Sequence, residues 1–151
     1  MAVPRVMLVA RRTAADPHLV EAVRRRARSS PATFHLVVPA TPNGLHRVVD
    51  PEVAGLEDAG ERLRSALPVL SEAAGQTVTG EVGDANPLAA AEDAVHRHGF
   101  DEIILSTLPL RVSRWLRIDL PSKVRALGLP VLHVTPGGVV APDAAKLARV
   151  A

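Results

Sequence analysis

The sequence lacks several features that define large classes of proteins. It contains no cysteine, which excludes disulfides, thiolate metal sites and cysteine nucleophiles. Its three aromatic residues are too few to form a stacking platform for single-stranded nucleic acid. No apolar run approaches the ~18–20 residues that would cross a bilayer, and the N-terminal apolar stretch is too short for a signal peptide. We therefore expect a soluble cytoplasmic protein with neither nucleic acid nor membrane as a partner.

Common catalytic and metal-binding motifs are also missing. The chain has no Gly-x-Ser-x-Gly elbow, no P-loop and no His-Glu-x-x-His pair. His96 and His98 are two positions apart on a predicted helix, so their side chains should diverge. His35 and His133 lie in apolar strands, where satisfied core or edge histidines are the simpler interpretation. These patterns predict a protein without a metal site, and we expect that it is not an enzyme.

The charge is nearly balanced overall but unevenly distributed along the chain. The formal net charge is +2 for 151 residues. Residues 1–49 carry eight basic and two acidic groups, residues 50–102 three and twelve, and residues 103–151 seven and two. The fold therefore decides whether the two basic thirds meet. Arg24, Arg25, Arg26 and Arg28 form the densest basic run, but they point in different directions around one helix, which favours a solvated face.

Short apolar runs alternate with helical patterns, as in a parallel α/β sheet. Two helices begin with a capping residue followed by proline, at Asp16-Pro17 and Asn86-Pro87. Asp119 is expected to cap the last helix in the same way. The predicted strands are residues 5–10, 33–38, 76–82, 103–106 and 131–135, and the predicted helices are residues 17–29, 52–74, 87–98 and 120–127.

This order predicts one α/β domain over residues 1–136, followed by a tail over residues 137–151 that holds at most a short helix. Right-handed crossovers and the doubly wound rule place the first and fourth strands side by side. The fold class is a three-layer sandwich around a five-stranded parallel sheet.

The stretch from Gly83 to Pro136 resembles the universal stress protein family. The likeness rests on "GD" after the third strand and on ALGLPVLHV leading into the last strand. The resemblance implies a Rossmann-like fold with strand order 3-2-1-4-5, a role in stress response or regulation, and a homodimer formed through the last strand. That strand, Val131 to Thr135, is apolar and has no interior lysine or proline to discourage edge pairing.

The family's ATP-binding members carry a glycine signature after the fourth strand, which this chain does not reproduce. The corresponding positions hold Ser106, Pro109, Asp119 and Leu120. Glycine lets the backbone approach a phosphate and point N–H groups at it, whereas proline has no N–H. The resemblance therefore implies the fold, and the residues predict no ATP binding of the family type and no cofactor.

A different anion site is the alternative interpretation. Arg11 and Arg12 follow the first strand, and Arg111 and Arg114 follow the fourth, so the two pairs should meet at the switch point where open α/β sheets bind ligands. Guanidinium groups could there replace glycine backbone as phosphate donors. The other interpretation is that the arginines are solvated or paired with acidic residues. The candidate ligand-binding residues are Arg11, Arg12, Thr13, Ser106, Thr107, Arg111 and Arg114.

Overall fold

The computed structural model describes residues 2–41, 51–109 and 111–141. Its six strands are β1 (Arg5–Val9), β2 (Thr33–Pro39), β3 (Thr79–Gly83), β4 (Glu102–Ser106), β5 (Val131–Thr135) and β6 (Gly138–Val140). Its five helices are α1 (Pro17–Ser29), α2 (Pro51–Ala74), α3 (Pro87–His98), α4 (Arg114–Arg117) and α5 (Leu120–Arg125).

The strands form one sheet in the order β3-β2-β1-β4-β5-β6. The first five strands are parallel, which confirms the fold class and the predicted order. The central strand β1 is nearly all apolar and buried, as expected for a strand with helices on both faces. Residues of α1 and α2 pack on one face, and residues of α3 and α5 pack on the other.

The sixth strand was not predicted. β6 pairs antiparallel with β5, with Thr135 opposite Gly138 and His133 opposite Val140. The turn forms because Gly137 N–H donates to Thr135 Oγ1 (3.1 Å) and Gly138 adopts a φ of 116°, a conformation that favours glycine. The expectation that β5 lies at the edge of the sheet is therefore wrong along His133 to Thr135. The homodimer stays a prediction, because β6 covers the part of the β5 edge on which that prediction relied.

Two smaller predictions also change. β3 begins at Thr79 and not at residue 76, because the backbone N–H groups of Gln76 and Val78 bond to Ser71 at the end of α2. Asp119 precedes α5 as predicted but makes no side-chain capping bond, because its backbone is left-handed (φ 55°). By contrast, Asp16 and Asn86 cap α1 and α3 through their side chains as predicted.

The predicted tail, residues 137–151, divides between described and undescribed residues. Residues 138–140 form β6, and the short helix expected beyond them lies outside the described residues. Within the described ranges, no helix combines the length and the apolar character that crossing a membrane requires.

Candidate functional site

A cavity lies where β1 and β4 end. It has a volume of about 170 Å³. Six of the seven predicted site residues line it, namely Arg11, Arg12, Thr13, Ser106, Thr107 and Arg114. The parallel pairing of β1 with β4 produces this convergence, because the segments that follow both strands leave the same edge of the sheet.

Arg111 is not among the lining residues. The sequence predicts that Arg111 and Arg114 reach the crevice together, but α4 begins only at Arg114. Before it, the chain turns, with the N–H of Val112 donating to the carbonyl of Pro109 (3.0 Å). Arg111 is exposed on this turn. The prediction that it faces the crevice with Arg114 therefore has no support from the geometry.

Hydroxyl groups join the two sides of the cavity. Thr13 Oγ1 and Ser106 Oγ are 2.6 Å apart and buried, so they connect the segment after β1 to the end of β4. Thr107 Oγ1 lies 2.8 Å from Nε2 of His133 on β5 and donates to the carbonyl of Leu108. His133 is therefore a buried, hydrogen-bonded histidine, as the sequence suggested. These contacts fix the floor of the cavity.

His133 is held in its neutral form. Burial lowers its pKa to about 4, and the positive charge of Arg125 acts in the same direction. A protonated imidazole at this position would lose hydration and face a like charge. The group beneath the crevice is thus uncharged at neutral pH, and the positive charge of the site comes from its arginines.

Arg11 is the most enclosed of those arginines, with 12% of its side chain exposed. Its Nη2 lies 3.4 Å from Asp58 Oδ2, and its buried Nε has no hydrogen-bond partner among the described residues. Burial lowers the pKa of Arg11, and the charges of Arg62 and Arg12 lower it further, against the opposing effect of Asp58. An anion in the crevice beside Arg11 would relieve this repulsion.

Asp58 was missed by the sequence analysis, although it sets the charge balance beside the crevice. Its Oδ2 also accepts a 2.9 Å hydrogen bond from Arg62 Nε. Burial raises the pKa of Asp58, but the hydrogen bond and charge of Arg62, with the charges of Arg11 and Arg12, leave it below its ordinary value. Among the described residues, this one carboxylate is therefore shared by Arg11 and Arg62, and it also feels the charge of Arg12. The pairing joins residues 47 positions apart, so no local motif could reveal it.

The other lining residues that were not predicted from the sequence form the walls of the cavity. Ser113 caps α4 by accepting from the N–H of Leu116 (3.2 Å), and this turn places Arg114 and the nearly buried Trp115 on the cavity. Thr41 reaches the opposite side and donates to the carbonyl of Ala85 (2.7 Å). The remaining lining residues, Leu108 and Val112, are apolar.

The segment after β4 has no phosphate loop of the glycine type. The backbone N–H groups of residues 112, 113, 117, 118 and 119 all bond to carbonyls within the segment. Leu120 is fully buried, and Ser106 is tied to Thr13. These internal bonds occupy several of the backbone donors that a phosphate loop would present, and the arginine side chains are the charged donors that the described lining offers to an anion.

A second polar cluster lies at the other end of the sheet. His35 on β2, Glu81 on β3 and His98 at the end of α3 have candidate metal-ligand atoms within 4.8 Å of one another. Residue spacing predicted no metal site, because these residues are 46 and 17 positions apart. Only the fold brings them together. The divergence of His96 from His98 is compatible with this, since His96 is exposed.

Three solved structures with a similar architecture are universal stress proteins. One from Burkholderia pseudomallei has a TM-score of 0.61 at 15% identity, covering 86% of this chain and 94% of its own. A universal stress protein in complex with cAMP gives 0.57 at 18% identity, with 89% and 98% covered. One from Archaeoglobus fulgidus in complex with dAMP gives 0.56 at 15% identity, with 87% and 97% covered.

Comparisons of the amino-acid sequence, by contrast, found no match. No protein-family model matches the chain, and no curated protein matches its sequence. At these identities the structural likeness establishes the arrangement of strands and helices. The chain therefore has the universal stress protein fold.

Proposed function

We propose that this protein is a universal-stress-like, non-catalytic binding protein whose crevice holds a small phosphate-bearing anion, up to the size of a nucleoside monophosphate. One observation carries the proposal. Arg11, Arg12 and Arg114 line a single cavity at the switch point of the sheet, and the buried Nε of Arg11 has no hydrogen-bond partner among the described residues. Guanidinium groups bind phosphate through charge-assisted, often bidentate hydrogen bonds.

The size of the cavity favours a monophosphate over a triphosphate. Ligand pockets are typically about 300–1,000 Å³, whereas this cavity measures about 170 Å³. It can enclose a phosphate group and part of a nucleoside. A triphosphate with its magnesium would also need the backbone donors that the segment after β4 uses internally. We therefore propose that Mg-ATP is not bound in the manner of the family's glycine signature.

The solved neighbours support the ligand class. Two of the similar structures are complexes with cAMP and dAMP, both of which are nucleoside monophosphates. Trp115 and Val112 give the cavity apolar surface beside its arginines, as a ligand with one charged and one flat apolar part requires.

The lining residues support binding without a reaction. They are arginines, hydroxyl residues and apolar residues, and the described lining contains no carboxylate or imidazole. His133 contacts the lining residue Thr107 but is itself buried, and its pKa of about 4 makes it a poor general base near pH 7.

Isothermal titration calorimetry with phosphate, AMP and Mg-ATP tests the proposal. The variants are Arg12→Gln and Arg114→Gln, which remove one charge each. Arg28→Gln, an exposed change on α1, is the matched control. A charge-assisted hydrogen bond contributes about 1.5–3 kcal/mol, so each crevice variant should weaken AMP binding by about tenfold or more. The control should bind as the wild type does.

Three results would count against the proposal. Equal weakening in Arg28→Gln would show a diffuse electrostatic effect and no specific site. A dissociation constant for Mg-ATP below about 10 μM, roughly −7 kcal/mol, would show that a triphosphate is accommodated after all. Absence of AMP binding at millimolar concentration would overturn the ligand class itself.

A further inference from the structure

Two imidazoles converge on one carboxylate oxygen beside the edge strand β3. Nε2 of His35 and Nε2 of His98 each lie 3.0 Å from Glu81 Oε1. The three residues come from β2, β3 and the last position of α3. Among the described residues, they form a group of a kind that could hold a metal ion. None of the residues that line the arginine crevice belongs to this group.

Neighbouring residues fix the orientation of these ligands. Nδ1 of His35 lies 2.7 Å from Thr79 Oγ1, so the Nε2 side of the ring faces Glu81. The Phe100 ring stacks on His35 with ring centroids 5.8 Å apart and meets His98 edge-on at 5.9 Å. A hydrogen-bonded second nitrogen and a packed ring are the usual supports of a metal-binding histidine.

A neighbouring arginine, Arg97, contacts the second oxygen of the same carboxylate. Burial raises the pKa of Glu81, but the hydrogen bond from His35 and the charge of Arg97 outweigh this and leave the pKa below its ordinary value. Arg97 Nη2 lies 2.8 Å from Glu81 Oε2. The exposed fractions of His35, Glu81 and His98 are 15%, 17% and 36%, so the group is open to solvent on the His98 side.

We propose that His35, Glu81 and His98 bind a divalent transition-metal ion of the zinc class, with water in the fourth position. Two imidazoles and one carboxylate are an established zinc donor set. Tetrahedral zinc with bonds of about 2.0–2.1 Å separates its ligand atoms by about 3.3 Å. The 3.0 Å separations from Glu81 Oε1 are close to this value, and all three ligand atoms lie within 4.8 Å of one another, so side-chain movements would complete the tetrahedral arrangement.

The competing interpretation is a purely structural hydrogen-bond network. In that case both imidazoles donate to Glu81, and Arg97 completes the neutralisation of its charge. Arg97 separates the two interpretations, because its positive charge opposes a metal ion but supports a network without one. Arg97→Gln should therefore tighten metal binding, whereas in a structural network it would only weaken the contacts of Glu81.

The test is zinc binding by the tag-free full chain, measured by equilibrium dialysis with metal analysis and by competition with a chromophoric chelator. We expect one zinc per chain and a dissociation constant of about 1 μM or tighter. Glu81→Gln and His98→Gln should each weaken binding by about a hundredfold. His96→Gln is the matched control, since His96 is exposed on the same helix and outside the cluster.

Two further readouts separate specific coordination from loose adsorption. Cobalt(II) should give the strong visible absorption of a tetrahedral site with the wild type and lose it with His98→Gln. Zinc at a hundredfold excess over its dissociation constant should raise the unfolding midpoint by about 5–10 °C. Circular dichroism checks that each variant is folded.

The proposal is overturned by any of three results. The first is zinc binding that His98→Gln does not weaken. The second is an equal loss in His96→Gln, which would show adsorption to surface histidines. The third is weaker zinc binding in Arg97→Gln than in the wild type, with the variant folded. None of these results bears on the proposed anion binding, because no residue that lines the crevice is altered.

Discussion

The arginine crevice and the histidine cluster lie at opposite ends of one sheet, and they differ in how the chain builds them. The crevice is assembled from residues that directly follow β1 and β4, where the doubly wound topology concentrates loops. The cluster is assembled from side chains within β2, β3 and the end of α3. A site of the first kind is a property of the fold, whereas one of the second kind depends on single residues placed on it.

This difference explains what the sequence could reveal. Strand order and two helix caps were predictable because they depend on local periodicity and on capping residues such as Asn86. Most of the crevice followed from the strand order alone. The exception, Arg111, depended on where α4 begins, and a helix of four residues leaves little periodic signal.

Other features could not be predicted, for a common reason. The contacts of Asp58 with Arg11 and of Glu81 with His35 join residues more than 40 positions apart. No spacing rule covers such pairs. β6 was missed because a strand of three residues, which begins at the second glycine of Gly137-Gly138, is too short to show alternation. Asp119 has the right residue type for a cap, but its left-handed backbone prevents the capping bond.

The largest expected effect is a loss of folding stability in acid, caused by His133 beneath the crevice. The pKa of His133 is about 4 in the folded protein, against about 6.5 in an unfolded chain, because burial and Arg125 disfavour its protonated form. Between pH 4 and pH 6.5 the unfolded state binds more protons than the folded state. The contribution of neutral His133 to the free energy of unfolding is therefore fully present above pH 6.5 and is lost as the pH falls through 4. The full contribution is about 3 kcal/mol.

Urea unfolding of the wild type and of His133→Asn, measured between pH 7.5 and 4, checks this prediction. The variant should lose less stability across that window, although it starts lower at neutral pH. Parallel pH dependence in the two proteins would show that His133 is not the buried neutral group described above.

Helix α3 supports the histidine cluster but contributes nothing to the lining of the crevice, so disturbing it should separate the two sites. A Cβ added at Gly83 would lie 2.7 Å from the Cβ of Ala90 on α3, which forces the helix to shift. Gly83→Ala should cost about 1–3 kcal/mol of stability. It should weaken zinc binding more than AMP binding, because His98 lies on α3.

Gly60→Ala is the matched control for this change. Gly60 lies within α2, where the added Cβ would meet only Arg64 Nη1 at 3.6 Å. Replacing a helical glycine by alanine should stabilise the protein by about 0.5–1 kcal/mol. Equal effects of the two substitutions in thermal unfolding would contradict the close packing of β3 against α3.

The smallest expected effects are changes in folding stability at Asn86 and Asp119, the residues that precede α3 and α5. Asn86 accepts hydrogen bonds from the N–H groups of Leu88 (2.9 Å) and Ala89 (3.1 Å), so Asn86→Ala should cost about 1 kcal/mol. Asp119 makes no such bond and has a φ of 55°, so Asp119→Gly should be neutral or stabilising by a few tenths of a kcal/mol. Denaturant midpoints measure both. A larger loss from Asp119→Gly than from Asn86→Ala would reverse the assignment of the caps.

The most direct test of the central claim, that the arginine crevice binds a phosphate-bearing anion, is a titration of the ¹⁵N-labelled protein with AMP followed by ¹H–¹⁵N spectra. Chemical-shift changes should concentrate at Arg12, Thr13, Thr107, Ser113 and Arg114, which line the cavity. The amides of His35, Glu81 and His98, at the far end of the sheet, should not move. Shifts centred on the basic run of α1, or no shifts at millimolar AMP, would contradict the account.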